Sequence, residues 1–89
     1  MTRTLLLSDE ISLPTTTGTA TSFSNATVVR VVNDSTNSAV VTIVETQGGS
    51  NIGSITMPPN SVEHLEKQPS YCIFASASTI KGAKVGFTG

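Results

Sequence analysis

Two valine-rich runs dominate the pattern of hydrophobic and polar positions along this chain. Residues 27–33 (TVVRVVN) and 39–46 (AVVTIVET) consist largely of β-branched side chains, and the polar segment DSTNS separates them. Runs of this length and composition are typical of β-strands, and a short loop rich in Asp, Asn and Ser is typical of a hairpin connection. The pattern therefore predicts two strands joined as a β-hairpin.

Four further segments of similar length follow at short intervals. Turn residues separate them, and the Pro58-Pro59 pair ends one of them because proline has no N–H to donate to a sheet ladder. These predicted strands are residues 52–57, 61–66, 71–76 and 83–88. Many short strands with frequent turn signals indicate an all-β protein, here a small single-domain antiparallel β-sandwich or barrel of about six to eight short strands.

Neither of the valine-rich strands has a clean polar face. In the second strand, Val41 and Ile43 lie on one face, while Val40, Thr42 and Val44 lie on the other. A sheet with one face in water alternates apolar and polar residues more regularly than this. The second face is therefore covered, either by the N-terminal part of the same chain or by a neighbouring subunit, and the pattern leaves both readings open.

The N-terminal part of the chain has a different character. The stretch TRTLLLSDEISLP predicts a short strand or an extended arm, and the Thr/Ser-rich run after it is typical of either a flexible linker or a polar edge strand. We therefore divide the chain into residues 1–25, an N-terminal arm or edge strand with a Thr/Ser-rich segment, and residues 26–89, the β-sandwich core.

Composition adds an expectation about association. A chain of 89 residues buries only a small core, and its single Cys and single His exclude an internal disulfide and a zinc site built from cysteine and histidine alone. The absence of Trp and the small number of Tyr and Phe leave few side chains that bury a large area. Small folds without such reinforcement often rely on association, so we expect a homo-oligomer.

The scattered charges argue against a nucleic-acid partner, and the short N-terminal apolar run argues against a membrane partner. The formal net charge is −1 with 12% charged residues, and the five Lys and Arg residues are scattered, which gives no basic surface for nucleic acid. The three leucines that precede Ser8 are too few for a signal peptide or a membrane span. We therefore expect neither a nucleic-acid nor a membrane partner, and a chain that is made in the cytoplasm.

His64 is the strongest candidate for chemistry, with Glu63, Glu66 and Ser61 close to it in sequence. Successive side chains of a strand point to opposite faces, so Glu63 and Ser61 do not share the face of His64. No glycine-framed turn surrounds any serine, and Cys72 lies in an apolar strand, as a buried thiol does. We expect a non-enzymatic protein with no catalytic residue, no cofactor, no metal site and no small-molecule substrate.

Four pieces of the chain carry a resemblance to a known group of proteins. They are VRVVN (29–33), GSITMPP (53–59), LEKQP (65–69) and IFA (73–75). With these pieces in this order, residues 26–89 resemble small virion structural proteins of tailed bacteriophages, particularly the short ones of marine cyanophages. The matching motifs are strand and turn patterns rather than chemical signatures.

The resemblance implies a β-sandwich subunit repeated many times in a phage particle, as a capsid decoration (cement) protein or as a neck or tail component. It implies the virion as the location, and the major capsid protein or other virion proteins as partners. The residues expected at the partner interface are Leu5, Leu6, Leu7, Val40 and Val44. The three leucines are equally consistent with an ordinary first strand of the same domain.

A carbohydrate-binding β-sandwich module is the alternative. Such sites use exposed aromatic rings, and the chain offers only Phe23, Tyr71, Phe74 and Phe87 for this role. We therefore rank the module below the structural protein.

Overall fold

The structure, a computed structural model, describes residues 3–88 and contains eight strands and one short 3-10 turn at Thr17–Thr19. Met1, Thr2 and Gly89, which belong to the predicted arm and core, lie outside the described residues. The strands are β1 (Arg3–Leu6), β2 (Ile11–Ser12), β3 (Val28–Asn33), β4 (Ala39–Val44), β5 (Asn51–Met57), β6 (Ser61–Glu66), β7 (Cys72–Ala75) and β8 (Ile80–Thr88). The predicted all-β class is confirmed.

The strands form two antiparallel sheets. The order of the first sheet is β1-β8-β3-β6. The short strand β2 also pairs with β8, next to the residues of β8 that pair with β1. In the second sheet, the order is β5-β4-β7. The fold is a β-sandwich in which four of the connections, those from β3 to β4, β5 to β6, β6 to β7 and β7 to β8, cross from one sheet to the other.

The predicted hairpin between the two valine-rich runs is wrong, because β3 and β4 lie in different sheets. The corner between them is built on Asn33, whose side chain is fully buried. Its Nδ2 donates to the carbonyl oxygens of Asn37 and Met57, both at 2.9 Å, and its Oδ1 accepts from the N and Oγ of Ser35. The side chain thus folds the loop onto the end of β5 instead of letting β4 return beside β3.

The space between the sheets is filled by one cluster of buried side chains. Strands β3, β4, β5, β7 and β8 contribute most of its members, which are Val29, Val31, Ala39, Val41, Met57, Ile73, Ala75 and Ile80. Leu13, Phe23 and Ala26 join the same cluster from the N-terminal side of β3. The hydrophobic core therefore extends across the boundary expected between residues 25 and 26.

The N-terminal segment also covers one edge of the second sheet. Thr21 and Ile73 exchange backbone hydrogen bonds of 2.8 and 3.1 Å, and the N–H of Ala75 donates to the carbonyl of Pro14 at 2.9 Å. Ala20 packs with Val44 and Cys72 in a second, smaller buried cluster. Of the two coverings considered for the second face of β4, the N-terminal segment is the one that covers Val44.

A left-handed turn places Phe23 in the core. Phe23, Ser24 and Asn25 have φ angles of 54°, 55° and 58°, an unusual run for residues other than glycine. The ring of Phe23 lies against Gly82 of β8, where an added Cβ would be only 2.9 Å from Phe23 Cζ. The missing side chain at Gly82 is therefore what admits this ring between the sheets.

Candidate interaction surface

The structure does not bring the sequence-predicted candidates for chemistry together. His64 is exposed on β6, and its ring lies 5.3 Å from the ring of Phe87, with the two planes tilted by 60°. The hydroxyl of Ser61 donates to the carbonyl of Pro58 at 2.6 Å. Within residues 3–88, no group of three or more His, Cys, Asp or Glu side chains is placed to hold a metal ion.

Cys72 is buried at the start of β7, as the apolar pattern around it predicts. Its nearest polar contact is the carbonyl oxygen of Ser70, 3.8 Å from Sγ. Val44 and Ala20 surround it, so the thiol fills space in the small cluster behind the second sheet.

The most distinctive surface feature is a group of exposed apolar side chains at the edge of the first sheet. Leu5, Leu6 and Leu7 are 48%, 72% and 49% exposed, and Phe87 on the neighbouring strand is 46% exposed. We call these four residues the leucine edge. Several large apolar side chains exposed close together on a small protein mark an interaction site more often than apolar residues scattered singly do.

Strand pairing determines how the leucine edge is built. Leu6 lies opposite Val85 of β8, which puts it on the same face of the sheet as Phe87. Leu5 lies opposite Gly86 on the other face, where Leu7 Cδ1 is 3.6 Å from the position that a Cβ of Gly86 would occupy. The strand therefore presents apolar side chains on both of its faces.

The five expected interface residues fall into three groups. The three leucines form the leucine edge, while Val40 is 39% exposed on β4 in the other sheet, away from them. Val44 has no exposed surface because Ala20 and Cys72 cover it. This corrects the prediction for Val44, which does not contribute to a surface that a partner can reach.

A polar groove lies at the other end of the N-terminal segment. It is open to solvent, has a volume of about 680 Å³, and is lined largely by hydroxyl and amide side chains. Its polar lining includes Thr19, Ser22 and Asn25 of the N-terminal segment, Thr46 and Gln47 after β4, and Ser70 before β7. No helix in residues 3–88 is long and apolar enough to cross a bilayer.

The sequence around Lys67 gives no signal of the environment in which the structure places this residue. The side chain is 7% exposed, and its Nζ donates to the carbonyl oxygens of Ala26 at 2.7 Å and of Gln68 and Pro69 at 3.3 Å. An ammonium group has three donors, and all three are used here. Lys67 thus ties the corner between β6 and β7 to the start of β3.

This environment predicts a dependence of stability on pH. Burial lowers the pKa of Lys67 below 10.5, an effect that Cys72 opposes and the charge of Lys84 adds to. Between the lowered value and 10.5, the folded protein has released a proton that the unfolded chain still holds, so the free energy of unfolding rises with pH. At a pH below the lowered pKa, Lys67 is charged in both the folded and the unfolded state, and the folded protein carries the full free-energy cost of burying this charge.

We therefore expect the stability difference between the native protein and Lys67→Met to shift in favour of the native protein as pH rises toward 10.5. Near neutral pH, Lys67→Met should cost about 1–3 kcal/mol, because the buried carbonyl of Ala26 and the part-buried carbonyls of Gln68 and Pro69 lose their donor. Urea unfolding at several pH values measures both quantities. Lys81→Met is the control, since Lys81 is half exposed and only its 3.7 Å pair with Asp34 is lost. A difference that stays constant with pH would contradict the expectation.

Comparison with known proteins found no matching family model, no similar curated protein and no similar solved structure. The resemblance to phage virion proteins therefore stays a prediction from the sequence motifs.

Proposed function

We propose that this chain is a non-enzymatic structural protein of a tailed-phage virion, a capsid decoration protein that binds the particle through the leucine edge. The observation that carries the proposal is the exposure of Leu5, Leu6, Leu7 and Phe87 together at one edge of the sandwich. The major capsid protein is the proposed partner, and the virion is the proposed location.

The character of the surface supports contact with another protein. Large apolar side chains at the centre of a contact and few charges around it are typical of protein interfaces. The three leucines also lie on or next to β1, an outer strand of the first sheet. The backbone of an outer strand can pair with a strand of a partner while its side chains contact the same partner. Only 12% of the chain is charged, so binding would depend on apolar burial more than on ion pairs.

Repetition makes a small contact sufficient for this role. A subunit bound at many equivalent positions, or as an oligomer, gains avidity from linked contacts that are individually weak. A chain of 89 residues with a small core also gains stability from any partner that binds only its folded form. Both effects favour a small protein that works on a particle over one that works alone.

Binding to particles that lack the protein tests the proposal. Leu6→Asp should weaken cosedimentation with undecorated capsids by tenfold or more, since about 1.4 kcal/mol corresponds to tenfold and a buried, unpaired carboxylate costs more than this. Val62→Asp is the matched control, because Val62 is 42% exposed on β6 in the same sheet but outside the leucine edge. Circular dichroism should show that both variants keep the fold. Equal binding by both variants would refute the assignment of the interface.

The number of copies in purified particles separates a decoration protein from a neck or tail component. Mass spectrometry should find the chain at an abundance comparable with that of the major capsid protein. A far lower abundance would place it in the neck or tail, and its absence from the particle would overturn the virion role.

The polar groove favours a second candidate function, carbohydrate binding. Its hydroxyl and amide groups suit hydrogen bonding to a sugar, but Phe23 is buried, and Tyr71 and Phe74 are partly buried, so they offer little aromatic surface for a sugar ring. A glycan array gives a direct test. Binding that is lost in Asn25→Ala and retained in Leu6→Asp would establish this function in the groove, and the absence of any signal would dispose of it.

A further inference from the structure

The outer edge of β5 differs from the other sheet edges. Its seven residues, NIGSITM, contain no charge and no proline, and the first six are exposed. Among the described residues, no strand lies against this edge, because β5 is the last strand of its sheet. Such an edge is a template for another strand unless charge, proline or a cover protects it.

The edges of β6 and β7 carry the protection that β5 lacks. The edge of β7 is covered by Thr21 and Pro14, which take up the outward backbone groups of Ile73 and Ala75. The edge of β6 carries Glu63 and Glu66, both exposed. Charges on an edge strand discourage pairing with another chain. Apart from β1, the edge of β5 is therefore the most favourable place for a further strand to pair with the sandwich.

The direction of the backbone groups of β5 follows from β4. The N–H of Ser76 donates to the carbonyl of Val40 at 2.8 Å, so the groups of Val40 point toward β7 and those of Val41 point toward β5. Val41 lies opposite Ile55, so the backbone groups of Ile55 are used within the sheet. Because the direction alternates along a strand, the groups of Ser54 and Thr56 point away from the molecule.

We propose that β5 pairs antiparallel with β5 of a second copy of this chain, with Ser54 opposite Ser54 of that copy. In this register, the outward backbone groups of Ser54 pair with those of Ser54 of the second copy, and Thr56 lies opposite Ile52 of that copy, where the register of β5 against β4 shifts by one residue. The two three-stranded sheets become one sheet of six strands. The inference concerns a surface on the opposite sheet from the leucine edge and does not rest on the proposed function.

The side chains at this edge fit the same register. Gly53 then lies opposite Ile55 of the second copy, and an added Cβ at Gly53 would meet nothing within 4 Å. An open apolar cleft of about 240 Å³ adjoins this position, lined by Val41, Ile43, Gly53, Ser54, Ile55 and Leu65. Ile55, which is 39% exposed in one copy, would lie over Gly53 of the other at the mouth of this cleft. The antiparallel pairing has a twofold axis at Ser54, so the contact between Ile55 and Gly53 occurs twice in the dimer.

Two features favour this register over neighbouring ones. A register centred on Ile55 would place Pro58 opposite Ile52 of the second copy, where proline has no N–H to donate. It would also leave Gly53 without an isoleucine above it. The register centred on Ser54 keeps both prolines outside the paired stretch, and it brings no two charges together because β5 has none.

Crosslinking through introduced cysteines tests the register. With Cys72→Ala as background, Ser54→Cys should form an intermolecular disulfide on mild oxidation, because directly opposed, hydrogen-bonded residues have Cα atoms about 5.5 Å apart. Thr56→Cys is the matched control on the same face of β5, and its counterpart in the second copy would lie roughly 13 Å away, which is beyond reach. Equal crosslinking of the two variants, or none of Ser54→Cys, would overturn the register.

Sedimentation of the native protein from micromolar to millimolar concentration tests the dimer itself. Gly53→Lys should raise the dissociation constant by at least about tenfold, because the lysine occupies the place of Ile55 of the second copy and brings a charge. Gly18→Lys is the matched control, since Gly18 also has open space around its Cα and lies far from β5 in sequence. A native protein that stays monomeric, or a dimer that survives Gly53→Lys but is lost in Leu6→Asp, would refute the proposal.

Discussion

Leu13→Ala should lower the free energy of unfolding by about 2–5 kcal/mol, whereas Leu6→Ala should change it by about 0.5 kcal/mol or less. Both residues belong to the N-terminal segment, but Leu13 is 2% exposed and Leu6 is 72% exposed. Removing the side chain of Leu13 leaves a cavity beside Phe23 and Gly82, whereas removing that of Leu6 leaves open solvent. The pair therefore measures whether this segment is part of the fold.

Urea unfolding followed by circular dichroism gives both values. A domain of 89 residues has a total stability of roughly 4–13 kcal/mol at the usual stability per residue, so Leu13→Ala would use up a large part of it. If the two variants were equally stable, residues 3–25 would be an appendage rather than part of the core. A deletion of residues 1–14 does not make this distinction, because it removes Leu13 together with the leucine edge.

The positions of the strands from β3 to β8 were predictable to within a few residues. Residues 61–66 were expected as a strand and form β6, and the runs at 27–33 and 39–46 contain β3 and β4. Their signal is local, since β-branched side chains favour extended backbone and turn residues interrupt it. The start of β8 was missed because IKG reads locally as polar and flexible. Its glycine has a distant cause, the ring of Phe23, 59 positions earlier in the sequence.

The choice of sheet for each strand was not predictable in the same way. The segment DSTNS is as suitable for a hairpin as for a corner, and what decides is the bond from Asn33 to the carbonyl of Met57, 24 residues further along. Lys67 shows the same limit, because its charge suggests the surface and the carbonyl of Ala26, 41 residues away, holds it inside. Neither distant partner has a signature in the sequence around the residue it fixes.

The candidate surface was predictable in part. The three leucines stand next to one another, so a single strand cannot bury them all on one face, and this local fact indicates exposure. Val40 and Val44 look equivalent in the sequence, yet Ala20 covers one and leaves the other in solvent. The sequence did not predict that β5 has a free outer edge. This depends on the order of the strands in the sheet, which the residues of β5 do not determine by themselves.

Asn33→Ala should destabilise the protein by about 3 kcal/mol or more, because each buried polar group left without a partner costs about 1–3 kcal/mol. Its amide donates to the carbonyls of Asn37 and Met57, and its oxygen accepts from the N and Oγ of Ser35. Ser35 Oγ and the carbonyl of Asn37 also bond each other, so the buried carbonyl of Met57 and the N–H of Ser35 are the groups that lose a partner. The matched control is Asn37→Ala, which keeps the backbone carbonyl that accepts from Asn33 and should cost about 0.5 kcal/mol or less. Denaturant unfolding of the two variants gives the comparison. Equal stability would mean that the corner between β3 and β4 holds without its buried amide, and that the crossing between the sheets has another cause.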